Sequence, residues 1–134
     1  MHAKHLRVSR GKRVALHDFS VRIARGTVTG LLGPSGCGKT TLMRSIVGTQ
    51  VVASGTVTVL GHPAGSPPLR RRVGYVTQDP TIYNDLRVID NVRYFADLYG
   101  IPSSAADEAV DGVGLRDHAR AYCANLSGGQ RTRV

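Results

Sequence analysis

Nine consecutive residues constrain this chain more than any others: Gly33-Pro34-Ser35-Gly36-Cys37-Gly38-Lys39-Thr40-Thr41. They match G-x-x-x-x-G-K-[ST], between an apolar run at 28–32 and a helix-like run at 42–47, the strand–loop–helix order of a phosphate-binding loop. A loop wrapped around a polyphosphate must turn tightly and aim successive backbone N–H groups inward, which Gly36 and Gly38 permit without a Cβ clash. Lys39 is placed to reach the β and γ phosphates, and Thr40 offers a hydroxyl to Mg²⁺. The helix opening at Lys39 directs its positive dipole end and unpaired amides at the same anion. Gly33, Ser35, Cys37 and Thr41 complete the candidate phosphate site.

Composition bounds what is built around that loop. With 134 residues, 41% hydrophobic and 20% charged, the chain has the make-up of one soluble globular domain with a real core. No apolar run approaches the roughly 18 residues of a membrane span, and residues 1–26 lack the apolar centre of a secretory signal, so a cytosolic location is expected. Cys37 lies inside the loop and Cys123 far along the chain, which reads as two reduced thiols. The net charge of +9, from 18 Lys and Arg against 9 Asp and Glu, raises the question of nucleic acid or an anionic membrane surface. Apart from Arg70-Arg71-Arg72 the cations are scattered, with neither a recognition helix nor an aromatic stacking platform. A solvated basic face is therefore expected, and no nucleic-acid partner.

In chain order, β-patterned pieces at 5–9, 19–23 and 28–32 look like a sheet feeding the loop. Gly48 can stop the helix, 55–60 alternates as a further strand, 63–68 is a loop, and 72–77 reads as a strand that Pro80 would end. From there the pattern is helical. Val88, Ile89, Val92, Phe95, Ala96 and Tyr99 carry the spacing of a helix with one buried stripe, stopped by Gly100 and Pro102. Ser104 with Asp107 resembles a capping box for a helix through about Gly112, and Glu108, the one glutamate, is expected in a capping role in its first turn. His2 and His5 have a ligand-like spacing, but a flexible terminus is the simpler reading. Two subdomains of one fold, 1–79 and 80–134, are expected to join near Asp79.

With Leu126-Ser127-Gly128-Gly129-Gln130 added, the chain resembles the nucleotide-binding subunits of ATP-binding cassette (ABC) transporters. Residues 33–40 match that family's Walker A loop, Gln78 stands where it places its Q-loop glutamine, and residues 126–130 are its LSGGQ signature, about 90 residues after the loop. The resemblance implies an α/β P-loop NTPase fold in part: a core sheet with an antiparallel β portion, and part of the helical subdomain. It implies ATP and Mg²⁺ as ligands, with Gln78 and Lys39 in catalytic roles and Thr40 and Gln78 at the metal. Ser127, Gly128, Gly129 and Gln130 would form a second anion-gripping element that closes over ATP held by a partner, which implies a head-to-tail dimer. The further partner is a transmembrane permease subunit, with the chain peripheral on the inner face of the membrane.

Residues 79–91, with the groups Tyr94-Phe95-Ala96 and Leu98-Tyr99-Gly100, are similar to drug-export-type subunits, with Arg87 and Ile89 as departures from the DLTVREN-like segment at 85–91. In the family, the signature precedes an apolar strand ending in Asp-Glu and then a switch histidine, and these 134 residues contain neither. ATP-driven export is therefore expected of a complete subunit, and inactivity of this chain alone. The alternatives are a nucleotide-binding or dimerising fragment without hydrolysis, or a soluble ABC ATPase acting on nucleic acid or ribosomes. Relatives commonly stack an aromatic residue on adenine about two dozen positions before the loop. Alignment on Gly11 places Arg10 there, and a guanidinium can also stack on a base.

Overall fold

Ala3, Leu6 and Val8 are the apolar residues of an otherwise polar run, and strict alternation would put Ala3 on the face opposite to the other two. In the computed structural model, which describes residues 1–78 and 81–134, strand β1 (His2–Arg10) resolves this with a bulge. His5 adopts a left-handed φ of 48°, the register shifts between Ala3 and Leu6, and all three side chains are fully buried. The His5 imidazole meets the Asp18 carboxylate at 2.7 Å on strand β2 (Arg13–Arg22). His2 and His5 are therefore strand residues, contrary to the flexible terminus expected for them.

Strand β3 (Ser54–Val59) and the two-residue β4 (His62–Pro63) complete a four-stranded sheet of order β2-β1-β3-β4, antiparallel throughout. Helix α1 (Lys39–Val47) lays Leu42 into the core with Leu16, Val57, Val59 and Leu69. It stops at Gly48, whose N–H returns to the Arg44 carbonyl at 2.9 Å. The loop expected at 63–68 contains the end of β4 and the start of a 3₁₀ turn, Pro67–Leu69.

Two expected strands do not form. Residues 28–32 and 73–77 have no regular structure, and Val28, Leu32 and Val76 are 105, 93 and 85% exposed. Both segments have strand composition, but a strand exists only through bonds to a neighbour, and no strand among the described residues lies alongside either. The chain divides into Met1–Tyr75 and Val76–Val134. The expected junction at Asp79 and the stop at Pro80 lie outside the described residues.

In the second unit, helix α2 (Val88–Tyr99) has the bounds its periodicity suggests, closed by Gly100. Its stripe is narrower than expected: Val88, Ile89 and Ala96 are buried, whereas Phe95 and Tyr99 are exposed, and Asn91 is buried instead. Helix α3 (Ser104–Gly112) does not carry the expected capping box. Ser104 is already helical, no side chain caps the helix, and Asp107 pairs with Arg93 of α2 at 3.6 Å. Glu108, one residue beyond the first turn, is exposed and caps nothing either. Val110, Leu115, Cys123 and Leu126 close a core with the buried residues of α2. The unit ends in helix α4 (Gly128–Arg133). No helix among the described residues is long and apolar enough to cross a membrane.

Candidate functional site

The phosphate loop hangs on α1. Gly38 precedes the first helical residue with φ 101°, a left-handed conformation, and a Cβ there would meet the Ala15 carbonyl oxygen at 2.6 Å and Leu16 at 2.8 Å. Only glycine fits, so the loop is clamped against β2 where the helix begins. Leu42 is the first residue of α1 whose amide is bonded within the helix, to Gly38 at 2.9 Å. The amides of Lys39, Thr40 and Thr41 therefore lack intrahelical acceptors, and no acidic residue occupies the first turn. An acid-free helix start with orphan donors suits an anion.

Lys39 folds back over the loop. Its ammonium donates to the carbonyls of Gly33 at 2.6 Å and Pro34 at 2.7 Å, with the Cys37 thiol 3.7 Å away. One cation thus ties both ends of the turn together, and it can exchange those carbonyls for phosphate oxygens without moving its backbone. Ser35, Gly36 and Cys37 are exposed at the turn. Thr40 presents an exposed side chain next to the lysine, whereas the Thr41 side chain is buried in α1, so that Thr41 offers the loop side only its amide. These residues fit Mg·ATP: backbone amides and Lys39 for the phosphates, and the Thr40 hydroxyl for the ion.

Arg10 ends β1, pairs across the hairpin with Arg13, and is exposed. Sequence reasoning missed Arg13. Its guanidinium lies 3.9 Å from where a Cβ on Gly36 would stand, beside the loop itself. The motif could not reveal this, because the approach depends on how the β1–β2 hairpin folds over α1 rather than on spacing within the loop.

The remaining candidates belong to the second unit. Gln78 is exposed and outside regular structure. Ser127 caps α4: its hydroxyl accepts from the Gln130 amide at 3.3 Å, and the Gln130 side chain accepts from the Ser127 amide at 2.9 Å, a complete capping box. The Gln130 side chain is thus committed to its own helix, while Ser127, Gly128 and Gly129 remain exposed. Arg131 donates to the Ala124 carbonyl at 3.1 Å and fastens the signature to the 3₁₀ turn Cys123–Asn125.

The family profile described as "ABC transporter" matches residues 16–134. The chain is 35% identical over 137 residues to the Nod factor export ATP-binding protein I of Cupriavidus pinatubonensis, covering 98% of this chain and 42% of that protein. It is 34% identical over 142 residues to the methionine import ATP-binding protein MetN of Nocardia farcinica, again 98% of this chain and 42% of that one. Against the aliphatic sulfonates import ATP-binding protein SsuB 2 of Burkholderia cenocepacia it is 37% identical over 132 residues, covering 96% and 48%. The chain therefore spans less than half the length of these curated relatives. A solved structure described as the ATP binding subunit of an ABC transporter superposes with a TM-score of 0.83 at 22% identity, over 98% of this chain and 57% of that one, a likeness of fold.

Proposed function

We propose, from the premise that this chain belongs to the ABC transporter family, that it is the phosphate-gripping part of an ATP-binding subunit that drives a solute across a membrane. The observation that carries the reading is the start of α1: an acid-free helix terminus with unengaged amides, clamped by Gly38 against β2, with Lys39 poised over the turn. Gly33, Ser35, Gly36, Cys37 and Gly38 shape the turn, the amides of Lys39, Thr40 and Thr41 bind phosphate oxygens, and Lys39 neutralises their charge. When bound, Mg²⁺ supplies Lewis-acid stabilisation of the transferring phosphoryl group. Thr40 would hold it. Arg10 stacks on the base.

Ser127, Gly128 and Gly129 serve a nucleotide held by a second copy or a related subunit, in a head-to-tail dimer. A permease subunit keeps the pair at the inner face of the membrane. Export is the direction favoured by the residues around 79–100, and the Nod factor export relative is compatible with it. Importers stand among the relatives too, and drug transport in particular finds no support in the relatives named above.

Residues 1–134 by themselves hold nucleotide without turning it over. In the family, a carboxylate that orients water and a histidine that steadies the γ phosphate follow the signature, and phosphoryl transfer depends almost wholly on such positioning. The test is phosphate release by residues 1–134, by the same chain with Lys39→Ala, and by a version extended through an Asp-Glu strand and a switch histidine. Release is expected only from the extended version, raised by several orders of magnitude. Release by the short chain that Lys39→Ala abolishes would overturn this division of labour.

A further inference from the structure

We infer that Arg13 is a second cation of the phosphate site, binding the polyphosphate beside Gly36. The inference rests on the phosphate-loop reading above and adds a residue that the motif does not contain. Three observations carry it.

The first is position. Gly36 lies in the middle of the turn, and the Arg13 guanidinium stands 3.9 Å from the point its missing Cβ would occupy. The side chain is thus laid beside exposed loop backbone. The second is rigidity of the platform. Arg13 begins β2 and is paired across the hairpin with Arg10, and two residues further on the Ala15 carbonyl and Leu16 pack against Gly38. The strand that carries the guanidinium is the one that fixes the loop, so the two cannot drift apart independently.

The third is charge. The unit Met1–Tyr75 holds twelve of the eighteen Lys and Arg residues but one of the nine carboxylates, Asp18. Asp18 is engaged by His5. No carboxylate of this unit pairs with Arg13 or Lys39. A guanidinium and an ammonium brought to one small turn repel each other unless an anion lies between them, and a polyphosphate supplies several negative oxygens there. Arg is also the side chain best shaped for two parallel bonds to phosphate oxygens. Arg10, at the other side of the hairpin turn, is left for the base, so the hairpin end would divide its two arginines between base and phosphate chain.

The test separates these roles with a ligand that has no base. Dissociation constants of Mg·tripolyphosphate and Mg·ATP are measured by calorimetry for the wild-type chain, Arg13→Gln, Arg13→Lys, Arg10→Gln and Lys39→Ala, with a thermal melt of each. Arg13→Gln is expected to weaken both ligands about tenfold, and Arg13→Lys to recover part of the loss. The salt dependence of tripolyphosphate binding should become shallower in Arg13→Gln. Arg10→Gln should weaken Mg·ATP while leaving tripolyphosphate unchanged. Wild-type affinity for tripolyphosphate in Arg13→Gln, with Lys39→Ala defective, would overturn the role of Arg13 and leave the loop reading standing. Wild-type affinity in both variants would overturn both. If the melt of Arg13→Gln collapses, Arg13→Met, uncharged and with a similarly long apolar stem, takes its place: a folded Arg13→Met that binds tripolyphosphate less tightly than wild type supports the inference, and one that binds it as tightly would overturn it.

Discussion

At the scale of single residues, the two thiols show how surroundings divide one chemistry into two. Cys37 is exposed on the phosphate loop, whereas Cys123 is fully buried in the second unit. Burial pushes the Cys123 thiol above its ordinary pKa, opposed by the Asn91 amide and the Arg131 charge. Because the thiolate is the nucleophile, a raised pKa and a closed surface both suppress reaction. Iodoacetamide at pH 8 is expected to label Cys37 in the native chain and to reach Cys123 only after unfolding, with Mg·ATP slowing the first reaction. Equal labelling of both thiols in the folded protein, read by peptide mass, would contradict the packing. Gly33, Gly38, Lys39 and Thr40 were legible in the sequence because the motif demands each by type. Arg13 was not, since its approach to Gly36 is a property of a folded hairpin.

Among the elements, α1 and α2 were legible almost to the residue because they carry their own stops, Gly48 and Gly100, and make their bonds within themselves. The segments 28–32 and 73–77 show the opposite case: their apolar content suits a strand, but strand formation lies in the neighbour and not in the segment. Asn91 is not among the apolar residues that mark the stripe of α2 in the sequence, yet it is the joint of the second unit. Its side chain accepts from the Tyr83 amide at 2.8 Å and donates to the Tyr83 carbonyl at 3.0 Å, the Arg87 carbonyl at 3.2 Å and the Cys123 sulfur at 3.2 Å. One buried amide thus ties the segment before α2 to the turn that leads into the signature. Asn91→Leu keeps the branched shape but strands those groups, which is expected to cost about 3 kcal/mol. A melt or denaturant midpoint unchanged from wild type would show that the joint is dispensable. No signal short of the fold distinguishes such an asparagine from a solvent-facing one.

At the scale of the whole molecule, the two units each carry one of the sequence motifs: residues 33–40 in Met1–Tyr75, ahead of α1, and residues 126–130 in Val76–Val134, at the capped start of α4. The division of charge follows the same line, with the first unit strongly basic and eight of the nine carboxylates in the second. Everything proposed for the chain depends on the first unit binding a nucleotide through its loop. Calorimetric titration of Mg·ATP into the chain, beside Lys39→Ala with an unchanged circular dichroism spectrum, measures this directly. Saturable binding that Lys39→Ala weakens on the order of 100-fold is the expected result, since the change removes a charge-assisted contact to two phosphates. Equal binding by the two proteins, or no binding by a folded wild-type chain, would contradict it.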